Sequence, residues 1–340
     1  MNEIDGYNDF MSNNSLSICL IVKNEEQYLE SCLSSIFGKV DEIIIVDTGS
    51  TDRTLEIARQ YSNKVFNIAW PNDFSIARNV SLEKANGDWI LVLDADETID
   101  ADQLLKLYDL INQTNADAFQ VTIRNILPAD QLIQYTDQYT LRLFRNRIAY
   151  RFSGSIHETL EPSISASDGI INSSDLVITH HGYAHFISQG DTNRGQRNLK
   201  MLQESLLMRP TDAYIHYQLG ITYKYLNDAS PVYKHLKKAL AYNHKDLSNQ
   251  IQSEIFMKLA QLAELENQSR KCIKYALSSI KLNPDNIISK YLLATNYIET
   301  NKFKEAYPHL LEIQKFPGIA PKEQNDLNIL IQYCRSKLAP

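Results

Sequence analysis

Residues 16–54 read LSICLIVKNEEQYLESCLSSIFGKVDEIIIVDTGSTDRT. Leu16–Val22 is a run of strand length, apolar except for Ser17. Asn24 then offers an N-cap, and Gln27, three residues on, completes a capping-box pattern. Leu29, Cys32, Leu33, Ile36 and Phe37 recur at helical spacing, and Gly38 stops the helix. A second strand, 42–46 (EIIIV), follows, and a polar turn over 47–52 leads into a helix through Leu55, Ala58 and Tyr61. Strand, helix, strand in that order predicts a parallel pair with a crossover helix.

The same grammar continues downstream. A third strand is predicted over 65–68, a helix over 74–85, a turn at Asn86-Gly87-Asp88, and a fourth strand over 89–93, WILVL. The βαβαβ order predicts a parallel sheet with helices on both faces. Such sheets bind ligands at the carboxyl ends of their strands. Polar residues crowd those ends here: Asn24 and Glu25 after the first strand, 47–52 after the second, and 94–97 after the fourth. Strand-to-helix loops are ordinarily polar, but carboxylates after three separate strands point to an active site.

The second half is helical and repetitive. Leu259, Ala260, Ala263, Cys272 and Ala276 recur 34 residues on as Leu293, Ala294, Tyr297, Ala306 and Leu310. An earlier copy, Leu219, Gly220, Tyr223, Val232 and Leu236, carries an insertion near 242–249. This register resembles the tetratricopeptide repeat, with units at about 213–246, 253–286 and 287–320. A half-unit helix is predicted over about 193–208 and a closing helix over 322–338. Eleven of the 19 tyrosines lie in this half, some at packing positions and the rest free to line a peptide groove.

At 340 residues the chain suggests two domains, and its net charge of −7 argues against a nucleic-acid partner. No apolar run approaches a membrane span, so no integral membrane contact is expected. The polar start MNEIDGYNDFMSNNS lacks the pattern of a signal peptide. Four scattered cysteines read as buried thiols in a reducing cytoplasm. The expected boundaries are a disordered or loosely packed tail over 1–14, a catalytic domain over 15–190 and a repeat domain over 191–340.

Asp94-Ala95-Asp96 is the sharpest chemical feature. In extended chain, both carboxylates would point to one side, placing two hard oxygen ligands for Mg2+ or Mn2+. Taken with KNEEQ, DTGSTD and NDFSIARN, the pattern resembles inverting family 2 glycosyltransferases of the GT-A fold. LRLFRNR (141–147), FSGSIHE (152–158) and THHGY (179–183) are similar to later elements of a bacterial subgroup. In that subgroup the catalytic domain precedes tetratricopeptide repeats, and members glycosylate glycocin bacteriocins on Cys or Ser. The implied fold class is an α/β GT-A, Rossmann-like nucleotide-binding sheet followed by an all-α tetratricopeptide-like repeat domain.

The resemblance implies roles residue by residue. Val22, Asn24 and Glu25 border the nucleotide pocket; Asp47 accepts from the uracil N3–H and Asp52 supports its loop; Arg78 reaches the base or diphosphate. Asp94 sits near ribose and metal, and Asp96 ligates the metal. His157 and His180 are candidate further ligands. Glu158 is the candidate general base, with Asp73 and Asp137 as alternatives. The donor is expected to be a UDP-sugar, UDP-glucose or UDP-N-acetylglucosamine. The acceptor is expected to be a peptide or protein side chain gripped by the repeats, which also offer a surface for a second subunit. A cell-envelope glycan or lipid acceptor, and a non-catalytic interaction module with a decayed sheet domain, are the competing readings. A nucleotidyltransferase would need a Gly/Lys/Arg-rich phosphate loop where KNEEQ stands.

Overall fold

The computed structural model describes residues 14–128, 130–182, 192–243 and 247–338. The tail expected at the start of the chain lies, up to residue 13, outside the described residues, as does Tyr183. The chain forms two compact units. One holds the residues up to Ile126 together with 135–182, and the other holds Leu127–Gln134 together with the residues from 192 onward. The sequence predicts one boundary near 190; the structure adds the excursion at 127–134. There the N–H of Gln134 donates to the Gly318 carbonyl at 2.7 Å, and Ile133 bridges to Ile319.

In the first unit the chain runs β1 (Leu16–Val22), α1 (Leu29–Ile36), β2 (Glu42–Asp47), α2 (Thr54–Tyr61), β3 (Lys64–Asn67), α3 (Phe74–Lys84) and β4 (Trp89–Val92). It continues with β5 (Glu97–Thr98), α4 (Ala101–Asn112), β6 (Ala118–Ile126), β7 (Tyr135–Arg145), α5 (Glu161–Ser165) and β8 (Ile171–His180). The eight strands form one sheet, ordered β3-β2-β1-β4-β7-β6-β8-β5. The first four are parallel, as their βαβ connections require. The second half is mixed, because β7 runs antiparallel to both β4 and β6.

Both faces of the sheet are covered, and the strands show it in their period of two. Leu16, Ile18, Leu20 and Val22, with Trp89, Leu91 and Leu93, pack in one core beside Leu33 of α1, Ile57 of α2 and Leu104 of α4. Cys19, Ile44, Ile90 and Val92 pack in the other, beside Leu82 of α3. Val92 and Asp94 follow that alternation, so Asp94 emerges on the α3 side of the sheet. The chain then turns: the Glu97 N–H donates to the Asp94 carbonyl at 3.0 Å. The extended geometry expected for Asp94-Ala95-Asp96 is therefore replaced by a turn, and the two carboxylates take different partners.

The capping box expected at Asn24 does not form either. Helix α1 begins at Leu29 with no side-chain cap. Asp73, in contrast, caps α3, accepting from the Ile76 N–H at 3.1 Å.

The second unit carries eight helices among the described residues: α6 (Thr192–Met208), α7 (Ala213–Tyr225), α8 (Ala229–Tyr242), α9 (Asn249–Leu265), α10 (Ser269–Leu282), α11 (Ile287–Glu299), α12 (Phe303–Gln314) and α13 (Pro321–Leu338). Pairs α7–α8, α9–α10 and α11–α12 coincide with the three repeats. The small residues at the repeat positions are buried where helices cross: a Cβ on Gly220 would lie 2.6 Å from Leu236 Cδ2. Tyr217 and Tyr275 belong to the core, whereas Tyr214 and Tyr233 stay open. All four cysteines are free and buried. No helix among the described residues is long and apolar enough to cross a membrane.

Candidate active site

The loops after β1 and β2 are laced together. Asn24 occupies the left-handed region (φ 56°), and its Oδ1 accepts from the Thr51 N–H at 2.8 Å. Its own N–H donates to Ser50 Oγ at 2.9 Å. The Glu25 N–H donates to Thr54 Oγ1 at 2.7 Å, and the Thr48 N–H to the Val22 carbonyl at 3.0 Å. Asp52 accepts from the N–H groups of Glu26 (3.2 Å) and Thr54 (3.0 Å). Burial opposes ionisation of Asp52, but the bonds from Thr54 and Glu26 outweigh it and lower the pKa. Asp47 is buried and closes its own turn, accepting from Gly49 at 2.9 Å and Ser50 at 3.0 Å. Val22, Asn24, Glu25, Asp47 and Asp52 thus meet at one sheet edge, with Asp47 partly committed to holding backbone amides.

The loop after β4 carries a chain of ion pairs. Arg78, buried on α3, bonds Glu158 through Nε and Asp94 Oδ1 through Nη2, the latter at 2.8 Å. Arg142, on β7, reaches Asp94 Oδ2 at 2.8 Å and Glu97 Oε1 at 3.1 Å. Glu97 Oε2 accepts the Asp94 N–H at 2.8 Å. Burial disfavours the charge on Asp94, but Arg142 and Arg78 outweigh it and hold the carboxyl well below the usual carboxylate range. Glu97 goes the other way: burial pushes it up to about 7, with Arg142 opposing and the Asp94 charge adding. Arg78 Nη1 is buried with no hydrogen-bond partner. That is an orphan donor in an otherwise saturated network, and it fits an anionic acceptor.

Asp96 sits elsewhere in the turn. Its Oδ2 lies 3.2 Å from His180 Nε2, and His180 Nδ1 lies 2.7 Å from Asn125 Oδ1. Burial lowers the pKa of His180, but Asp96 more than compensates and raises it. Gly182 packs so tightly here that a Cβ would lie 1.9 Å from Asp96 Oδ2. The neighbouring His181 turns to Thr98 Oγ1 instead, at 2.9 Å.

Of the four expected metal donors, the structure brings Asp96 and His180 together. Asp94 has both oxygens on guanidinium groups, and His157 is exposed in a tight loop, at φ 55°. Among the described residues no three His, Cys, Asp or Glu side chains converge as a metal cage. The Asp96–His180 pair does fit Mg2+ or Mn2+. Octahedral ligands at about 2.1 Å place adjacent donors about 3 Å apart, which is the spacing found. Such ions typically take one or two protein groups and complete their shell with water and substrate phosphate.

The three carboxylates considered as base are all engaged. Glu158 bonds Arg78, Asp73 caps α3, and Asp137 forms a two-pronged pair with Arg124 at 2.9 and 2.8 Å. Sequence reasoning missed Arg142, Glu97 and Asn125. Arg142 lies inside the LRLFRNR motif, so its position was marked, but nothing local identifies its partners.

Residues 17–166 of the chain match the glycosyl transferase family 2 model. Its relatives include a TPR repeat-containing protein of Synechococcus elongatus, 36% identical over 231 residues, covering 66% of this chain and 56% of that protein. The SPbeta prophage-derived glycosyltransferase SunS of Bacillus subtilis is 27% identical over 237 residues, covering 68% of this chain and 54% of SunS. The chain spans a little over half the length of these two relatives. Among solved structures, S. aureus TarS 1–349 in complex with UDP-GlcNAc aligns with TM-score 0.41 and 16% identity, covering 95% of this chain and 92% of that one.

Proposed function

We propose that the protein is an inverting glycosyltransferase that moves a hexose from a UDP-sugar to a side chain of a peptide or protein held by the repeats. The observation that carries this reading is the convergence at one strand edge of the Asp96–His180 pair, the orphan Arg78 donor and the two laced loops, within a family 2 domain. Asp96 and His180 would hold Mg2+ or Mn2+, which supplies charge neutralisation for the departing diphosphate.

The chain's own groups divide the remaining work. Arg78 offers its unpartnered N–H to a diphosphate oxygen, while Asp94 and Glu158 hold the guanidinium in place. Arg142 fixes Asp94 and so keeps Arg78 aimed. Asp47 and the β1 and β2 loops form the base and ribose side of the pocket. In a single displacement the acceptor atom bonds to the anomeric carbon as the bond to the UDP oxygen breaks, and the acceptor proton passes to a base. Glu158 is the proposed base. A thiol, with a pKa near 8.5, needs little help, whereas a serine hydroxyl needs much. The proposed acceptor residue is a cysteine or a serine or threonine, of which cysteine makes the smaller demand on the base. Buried free thiols throughout the chain suit a reducing, cytoplasmic setting.

Thermal unfolding in the presence of UDP and Mn2+ tests the reading. UDP at 100 times its dissociation constant is expected to stabilise the protein by about 2.7 kcal/mol. Asp96→Ala is expected to remove the Mn2+-dependent part. No stabilisation by millimolar UDP, with or without Mn2+, would sink the nucleotide assignment.

A further inference from the structure

We propose that Asn125 is a positioning residue for the metal pair: it holds the Nδ1–H of His180 and so directs Nε2 toward Asp96. The proposal rests on the metal-dependent reading above and adds to it a residue with no metal-ligating chemistry of its own.

Strand β6 lies between β7 and β8, and Asn125 is paired with Thr136 on one side and His180 on the other. Paired residues on adjacent strands share a face, so the Asn125 amide is bracketed by two fixed groups. Its Nδ2–H donates to the Thr136 carbonyl at 3.4 Å, which turns Oδ1 toward the other strand. Its Oδ1 therefore faces His180 Nδ1, at 2.7 Å. An amide oxygen only accepts, so the imidazole must supply the hydrogen there. Nε2, the other ring nitrogen, is thereby directed to Asp96 Oδ2 at 3.2 Å; a carboxylate also only accepts, so a metal bound between them would take the place of the Nε2 hydrogen. Asn125 is buried, so water does not compete for the bond. The opposite amide orientation would place a donor against Nδ1 and a hydrogen on Nε2, closing that nitrogen to a metal.

Mn2+ binding in the presence of UDP, read by electron paramagnetic resonance, tests the role without relying on turnover. Asn125→Leu, which has similar volume and no acceptor, is expected to weaken Mn2+ binding about 10- to 100-fold. Asn125→Asp, which keeps an acceptor facing Nδ1, is expected to bind Mn2+ as the wild type does. A purely structural role would not be rescued by Asp while failing with Leu. Nitrogen-15 NMR of the wild type loaded with Mg2+ and UDP is expected to show hydrogen on His180 Nδ1. That measurement decides the tautomer even if Asn125→Leu does not fold. Hydrogen on Nε2, or unchanged Mn2+ affinity in folded Asn125→Leu, would overturn the role of Asn125 alone. Failure of the wild type to bind Mn2+ at all would overturn the metal reading, and this role with it.

Discussion

Replacing Arg142 by methionine keeps the length and apolar stem of the side chain but removes the guanidinium that joins Asp94 to Glu97. Removing one partner of a buried ion pair costs about 3–5 kcal/mol. The lower end applies here, about 3 kcal/mol, because Asp94 is 34% exposed and retains Arg78, whereas Glu97 is only 2% exposed and loses its sole guanidinium partner. The pH dependence follows from Glu97, whose folded pKa is raised to about 7 from an ordinary 4.5. A carboxyl shifted upward contributes stability that is full below its unfolded pKa and is lost as pH rises through the folded value. Wild-type stability is therefore expected to fall between about pH 4.5 and 7 on account of this group and to level off above it. Without Arg142, burial and Asp94 still raise Glu97 and nothing comparable opposes them, so the decline continues past neutrality. The gap between wild type and Arg142→Met is expected to widen by about 1 kcal/mol from pH 7 to 8, the variant losing about 1.4 and the half-ionised wild type about 0.4. Urea unfolding followed by tryptophan fluorescence reads this directly, because both tryptophans, Trp70 and the fully buried Trp89, lie in the first unit. Glu97→Gln in the Arg142→Met background is expected to abolish the widening. A variant within about 0.5 kcal/mol of wild type at pH 7, inside the range of ordinary surface changes, would refute the structural weight given to the pair. So would a gap that stays constant from pH 7 to 8.

Three further outcomes are expected. Gly182→Ala drives a methyl into Asp96 Oδ2, so Mn2+-dependent stabilisation by UDP should be lost, while stability falls by about 1–3 kcal/mol in a urea titration. Gly220→Ala crowds Leu236 and is expected to cost about 1 kcal/mol, the clash outweighing the gain in helix propensity, as read by circular dichroism at 222 nm. The four buried thiols should resist a thiol reagent in the native protein and all react in denaturant, since burial pushes Cys19 and Cys272 up to about 12 and denies access.

What could be read from the sequence is what is local. Leu16–Val22 is a strand because seven consecutive residues supply both buried faces of the sheet, and the structure starts and stops it at those residues. The repeats were legible because each helix pair must bury the same face against the next, which stamps a 34-residue period on the chain. The losses are all long-range. Asn24 has the composition of an N-cap, yet the β2 loop claims its Oδ1 and the left-handed backbone takes it out of the helix. Arg142 pairs with carboxylates 45 and 48 residues away, so no spacing rule reaches them. The sequence candidate was His180, but only β8 shows that, of the two adjacent imidazoles, it is the one facing Asn125 while His181 turns to Thr98. The mixed half of the sheet escaped notice because β6 and β7 alternate imperfectly and carry Arg124, Asp137 and Arg142 among their apolar residues.

The excursion at 127–134 has a consequence for how the chain is made. Leu127, Leu132 and Ile133 find their cover among residues near the other end of the sequence, including Ile313 and Ile319. A ribosome emits about 5–20 residues each second, so this segment emerges roughly ten seconds or more before the residues that shelter it. During that interval three apolar side chains stand uncovered between two strands that are already free to pair. The finished unit is closed by its last helices, and a chain arrested before Gly318 is expected to be a substrate for chaperones.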